Sequence, residues 1–194
     1  MEAAAESLPN LECYRHKWVR CLGIQNKPGI PLEKISKYGN AQIRLACQKF
    51  LECHSSSRLP DGDVEAVLAL FCEREGCAFS ESYLSILAVL MPLRCTLDEL
   101  YNMFYAICTK FVPRDTSKGA VCYQLMHLIL QYHDPSLSSH LESHKVTPFE
   151  YAQPFFATLF ATEIPKESLY LVWDKLFQKV SILIFMRFLQ LCNA

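Results

Sequence analysis

Residues 125–177 string three helix starts together, and two of them stand before a proline. Asp134-Pro135 and Thr147-Pro148 each set a capping side chain ahead of a proline at the first helical position. A proline is tolerated there because an N–H at that place has no intrahelical acceptor to lose. Glu150, three residues after Thr147, makes the second start a capping box, and Thr96 with Glu99 makes another. Behind Thr96, the apolar residues Leu97, Leu100, Met103, Phe104 and Ile107 fall at helical spacing. Further helices are expected over 12–22, 42–53, 64–75, 80–91, 120–132, 166–177 and 182–191. Pro154 lies well inside the helix begun at Pro148, where a kink or break is expected. No segment alternates with period two for long enough to make a strand. The expected fold is all-α, a single domain of about ten helices.

Composition limits what such a fold can be. A chain of 194 residues with 51% hydrophobic residues can bury a substantial core as one domain. Its net charge of −1, with signs interspersed, leaves no basic stripe for nucleic acid. The apolar runs 84–93 and 180–191 are interrupted by Pro92 and Arg187, and both fall short of the roughly 20 residues a bilayer helix needs. The N-terminus MEAAAESLPN is acidic and has no apolar run, unlike a secretory signal. A soluble protein with no membrane span is expected. The ten cysteines include no Cys-x-x-Cys pair, so small buried thiols in a reducing cytosol are expected, and no metal site. There is no glycine-rich phosphate loop and no Ser/His/Asp cluster, so neither a cofactor nor an enzyme with its own nucleophile is expected.

The order of features in the second half carries more than a fold class. Pro135, His140-Leu141, Thr147-Pro148, Tyr151, Phe156, Leu159-Phe160 and Trp173-Asp174 follow one another as in a TBC domain, the fold of Rab GTPase-activating proteins, and this half resembles that family. Leu8-Pro9 followed by Trp18 and Leu22-Gly23 is similar to the family's first motif. Residues 100–115, LYNMFYAICTKFVPRD, are similar to one branch in particular. That branch joins its TBC domain to a rhodanese-like domain and binds golgins at the trans-Golgi. The resemblance implies a TBC domain over 1–194, with an N-terminal subdomain of about 1–95 and a C-terminal one of about 96–194. It also implies further helical residues beyond Ala194.

An active TBC domain works in trans on a GTP-bound Rab, and two motifs carry the chemistry. Ile-x-x-Asp-x-x-Arg supplies an arginine to the developing phosphoryl charge, and Tyr-x-Gln-Gly-Met supplies a glutamine that orients the attacking water. No Asp-x-x-Arg occurs in this chain. Aligning by Ile43, Cys47 and Phe50 sets Ala46 at the aspartate position and Lys49 at the arginine-finger position. The other register, Ile30-x-x-Glu33-x-x-Ser36, lies in a Pro/Gly-rich segment and leaves too long a gap to the next motif. In the second motif Phe79 stands for the tyrosine and Glu81 for the glutamine. Lysine lacks the guanidinium fork. A carboxylate has no donor and meets the γ-phosphate with like charge.

Other residues compete for attention. Arg44 lies beside the arginine-finger position and is the alternative finger. Tyr151-Ala-Gln153 matches Tyr-x-Gln superficially, but Pro154-Phe155 follows in place of Gly-Met, and a packing role is expected. His127, His133, His140 and His144 recur along two helices without a third converging ligand and are read as surface or interface residues. Arg114-Asp115 is expected to fix its loop by local ion pairing and is also a partner-binding candidate. Trp173-Asp174 is expected to pack and cap within the C-terminal subdomain.

The functional expectation is a TBC fold with both catalytic fingers replaced. It would act as a non-catalytic interaction module in endosome-to-Golgi vesicle traffic, cytoplasmic and peripheral to trans-Golgi or endosomal vesicles. Its partner would be a GTP-bound Rab, with golgin or vesicle proteins engaged through segments not present here. The alternative is an active Rab GTPase activator using Arg44. An incomplete domain is a third reading, and it predicts aggregation and a poorly cooperative urea melt.

Overall fold

The computed structural model describes residues 11–29, 41–53 and 61–178. Among them are nine α-helices, one 3₁₀ turn and no strand. The helices are α1 (Leu11–Cys21), α2 (Ala41–Cys53), α3 (Asp61–Glu75), α4 (Ser82–Leu90), α5 (Leu97–Phe111), α6 (Val121–His133), α7 (Pro135–Ser143), α8 (Pro148–Thr158) and α9 (Lys166–Gln178). The 3₁₀ turn, Met91–Leu93, prolongs α4. The helix expected over 182–191 lies outside the described residues.

The local start signals act as the sequence predicts. Ahead of α5 the Glu99 amide donates to Thr96 Oγ1 at 3.3 Å, and the Thr96 amide donates to Glu99 Oε2 at 3.1 Å. Asp134 accepts from the Leu137 amide at 2.9 Å in front of Pro135. At α8 the Glu150 carboxylate accepts from both the amide and the hydroxyl of Thr147, each at 2.7 Å. Those bonds favour the ionised form and hold the Glu150 carboxyl below its ordinary value of 4.5. The cap's contribution is therefore present above about pH 4.5 and fades as pH falls through the lower folded value. In an NMR titration the Thr147 amide shift is expected to move with a midpoint below 4.5. A midpoint at or above 4.5 contradicts the bond.

The break expected at Pro154 does not form. Helix α8 does not break at Pro154 but runs through it to Thr158, where it ends on Leu159 in the left-handed region (φ 50°). The proline frees only the Glu150 carbonyl, four residues back on an exposed face, where water can satisfy it. Thr158 Oγ1 also donates to the Pro154 carbonyl at 2.7 Å, which ties down the following turn.

Most buried apolar residues form one core that draws on α1 to α5, α9 and the end of α8. Trp18, Val64, Leu68, Ile86, Leu87, Met103, Phe104, Ile107 and Trp173 lie within it. Full burial of a side chain of this kind contributes roughly 1.5–3 kcal/mol. A smaller cluster of Ala120, Cys122, Tyr123 and Ala152 holds α6 and α8 together, with Phe149, Tyr151 and Phe156 against it. Helix α1 packs on α9 and α5, so the first and last described helices are neighbours. Lys17 Nζ donates to Asp174 Oδ2 at 2.7 Å, and Arg15 donates to Glu99 Oε2 at 2.6 Å. Asp174, expected to cap, instead receives Lys17 from α1 and the Gln178 amide at 2.6 Å. A buried carboxylate there needs a countercharge more than a helix end needs a cap.

Helix α3 ends on Gly76, which has φ 61° and no atom within 4 Å of where a Cβ would stand. Gly76→Ala therefore meets backbone strain and no clash. It is expected to cost about 1–2 kcal/mol in urea unfolding at constant m.

Candidate functional site

The segment that follows Gly76 carries the positions read as glutamine-finger residues, and it runs along a cavity. The cavity holds about 250 Å³. Phe71 and Glu75 of α3, Cys77, Ser80, Ser82 and Tyr83, Cys108 and Thr109 of α5, and the 112–116 turn surround it, with Ala157 of α8 behind. Four parts of the chain thus meet at one opening: the end of α3, the start of α4, the end of α5 and its following turn.

Each wall has a local cause. Ser80 Oγ accepts from the Ser82 amide at 3.4 Å and donates to Ser82 Oγ at 3.2 Å, which turns the chain into α4 two residues later than the expected helix start at 80. Glu81 then falls at the N-cap position, exposed and making no capping bond. Phe79 is half-buried against the main core. Across the cavity Val112 ends α5 in extended conformation, and Pro113 directs the chain outward to Arg114.

The polar groups are a single cation, a single carboxylate and several hydroxyls. Arg114 Nη2 lies 3.6 Å from Glu75 Oε2. The guanidinium side chain is 73% exposed, so the pair contributes about 0–1 kcal/mol at most. Glu75 is better held by Tyr105, whose hydroxyl donates to Oε1 at 2.7 Å. That bond, with burial, raises the Tyr105 phenol above its ordinary 10.0. Arg114 therefore does not pair with its neighbour Asp115, as local ion pairing would have had it. Asp115 accepts from the Ser117 amide at 2.9 Å, which lowers its pKa and closes the turn by itself. An Asx-type turn satisfies the short carboxylate and leaves the longer arginine to reach across to α3.

The other candidates lie elsewhere. On α2, Ile43 and Cys47 are buried and Phe50 is half-buried against the core, so Lys49 is carried outward and is exposed. Arg44 is also exposed but engaged, with Nε 3.2 Å from Glu65 Oε1 on α3. Lys49, Arg44 and Glu81 are not among the residues lining the cavity, whereas Arg114 is. The cavity brings Arg114 to the 77–83 segment and leaves the α2 cations outside.

Tyr151 packs on the α6–α8 cluster, with its hydroxyl 3.4 Å from His127 Nδ1. His127 Nε2 is 3.3 Å from Glu142, and the His140 and His144 rings lie 4.3 Å apart. Among the described residues no group of three or more His, Cys, Asp or Glu could hold a metal ion, and no helix is long and apolar enough to cross a membrane. Glu75, Ser80, Ser82 and Thr116 escaped the reading of the sequence. The available signal was Gly76 at the end of a helical period, which marks where the chain must turn back toward α5.

The described residues thus form an all-helical fold with a polar-rimmed cavity between helix ends. The chain belongs to the Rab-GTPase-TBC domain family, which it matches over residues 18–192. It is 32% identical over 108 residues to TBC1 domain family member 1 of Bos taurus, covering 53% of this chain and 9% of that protein. It is 38% identical over 72 residues to TBC1 domain family member 4 of Mus musculus, covering 37% of this chain and 5% of that protein. A TBC domain-containing protein kinase-like protein of Dictyostelium discoideum is 32% identical over 84 residues, covering 43% of this chain and 8% of that protein. The chain thus spans less than a tenth of the length of each of these relatives.

Proposed function

We propose that this TBC domain binds a GTP-bound Rab without accelerating its hydrolysis, and that it serves as an interaction module in endosome-to-Golgi vesicle traffic. What carries the first part is the alignment that sets Lys49 at the arginine-finger position and Glu81 at the glutamine-finger position. An arginine finger is worth on the order of 10³–10⁵ in rate, and a lysine offers a point charge without the bidentate fork. Glu81, exposed at the start of α4, adds a negative charge where a water-orienting amide is wanted. The traffic assignment rests on residues 100–115, whose likeness is to the golgin-binding branch. Golgin or vesicle proteins would be reached through segments outside this chain, at trans-Golgi or endosomal vesicles. Arg114 and Asp115, in the turn beside the cavity, are the partner-contacting residues of this reading.

The competing reading, an active GTPase activator with Arg44 as its finger, requires Arg44 to leave Glu65. That exposed pair is weak enough to break, so the two readings separate by experiment. Single-turnover GTP hydrolysis is measured across a panel of GTP-loaded Rabs, with and without the domain. No acceleration, together with retained binding, is the expected result. Acceleration that Lys49→Ala abolishes sinks the non-catalytic reading, and acceleration that Arg44→Ala abolishes transfers the role to Arg44.

A further inference from the structure

Helix α3 terminates through two backbone bonds: the Gly76 amide donates to the Glu73 carbonyl at 3.2 Å, and the Cys77 amide to the Cys72 carbonyl at 3.0 Å. With Gly76 at φ 61° this is a Schellman ending, which sets the second residue past the helix against the residue three from its end. An apolar contact usually fills that place. Here both residues are cysteines, Cys72 and Cys77, each partly buried against the main core. Cys77 Sγ also lies 3.7 Å from the Tyr83 hydroxyl. Cys77 lines the 250 Å³ cavity, and all three thiols of this neighbourhood, Cys72, Cys77 and Cys108, are free.

We propose that Cys72 and Cys77 are a redox-modifiable dithiol, oxidised by hydroperoxides that enter the cavity and closed as a disulfide across the end of α3. Cys77, half-buried on the cavity wall, is the entry sulfur. Its thiolate attacks the distal peroxide oxygen, the O–O bond breaks, and a sulfenic acid and an alcohol or water result. The Cys72 sulfur then attacks the sulfenic sulfur, the S–O bond breaks, and water leaves with the Cys72 proton. In sum two thiols lose two protons and two electrons, and one hydroperoxide takes them up to become an alcohol (or water) plus water. The backbone bond between the two residues holds them at the kind of α-carbon separation that disulfides require, roughly 4.4–6.8 Å. Cys108 also lines the cavity but is the poorer partner, because it is buried and fixed inside α5 and is not set against Cys77 by the helix ending. Burial, reinforced by Cys77, pushes the Cys72 thiol up to about 12, so the second step quickens as pH rises. Unlike the assignment to a Rab, this inference needs no partner.

The sequence supplies a clean test, because trypsin separates the pair. Residues 59–74 contain Cys72 as their sole cysteine, and residues 75–94 contain only Cys77. The full chain is treated with hydrogen peroxide at mildly alkaline pH, alkylated under denaturing conditions and digested without reduction. Peptides 59–74 and 75–94 are expected to be joined by a bond that reductant cleaves. Cys72→Ser is expected to abolish the cross-link and leave Cys77 trappable as a sulfenic acid by dimedone. Joining of 75–94 to 95–110, which carries Cys95 and Cys108, overturns the proposal. So does recovery of Cys72 and Cys77 as alkylated thiols, or further oxidation of Cys77 without a cross-link.

Discussion

Trp173→Ala is expected to destabilise the domain by about 3–5 kcal/mol, the range for truncating a large buried aromatic side chain. Trp173 is fully buried in an aromatic cluster, with Trp18 and Phe177 ring centroids each 5.7 Å away. It also does what no apolar residue could: its indole Nε1 donates to the Leu159 carbonyl at 2.8 Å. That carbonyl belongs to the left-handed residue that ends α8, where the helical bonding pattern stops. Trp173 is therefore a packing residue and the polar partner of another helix's terminus. The two roles are separable. Trp173→Phe keeps much of the packing but orphans a buried carbonyl, an additional cost of about 1–3 kcal/mol. Trp18→Phe is the control, since the buried Trp18 indole N–H has no hydrogen-bond partner among the described residues and its removal relieves a desolvated donor. Urea unfolding with a common m-value is expected to rank Trp173→Ala as most damaging, then Trp173→Phe, then Trp18→Phe. Equal costs for the two phenylalanine variants would show that the Leu159 bond contributes nothing measurable.

The second large effect is a gain. On the proposed alignment, Lys49→Arg with Glu81→Gln returns a planar cation and a neutral amide to the two finger positions. The double variant is expected to accelerate GTP hydrolysis on a bound Rab by on the order of 10²-fold or more, given that an arginine finger alone is worth roughly 10³–10⁵. Each single variant is expected to gain far less. Lys49→Arg leaves a carboxylate facing the phosphate, and Glu81→Gln leaves the developing charge without its fork. Phosphate release in single turnover, with binding measured in parallel, distinguishes the outcomes. A double variant that binds its Rab yet stays inert across the panel removes the alignment on which Lys49 and Glu81 were chosen.

What could be read from the sequence was local. Thr96–Glu99 and Asp134-Pro135 form their caps because the donors and acceptors lie three residues apart, within reach of the chain's own geometry. The inward face of α2 was legible for the same reason, since Ile43, Cys47 and Phe50 recur at helical spacing. That α8 runs unbroken through Pro154 was not legible, because a proline's effect depends on whether water can reach the carbonyl it frees, and exposure is a tertiary property. Asp174 was out of reach on the same principle: its partner Lys17 is 157 positions away. The cavity was the least legible feature. Glu75, Ser80, Thr109 and Thr116 each look ordinary in sequence, and only the reversal at Gly76 and the turn at Pro113 bring them to one opening with Arg114.

The pairing of α1 with α9 bears on how the protein is made. Trp18 rests on Tyr170, Trp173 and Phe177, side chains that the ribosome adds some 150 to 160 residues later (170 − 18 = 152; 177 − 18 = 159). At about 5–20 residues per second, the first helix waits roughly 10–30 s with its largest aromatic face uncovered. Contacts of such long range are slow to close and leave apolar surface open to off-pathway association. The docking of α1 on α9 therefore cannot precede synthesis of the last described helix.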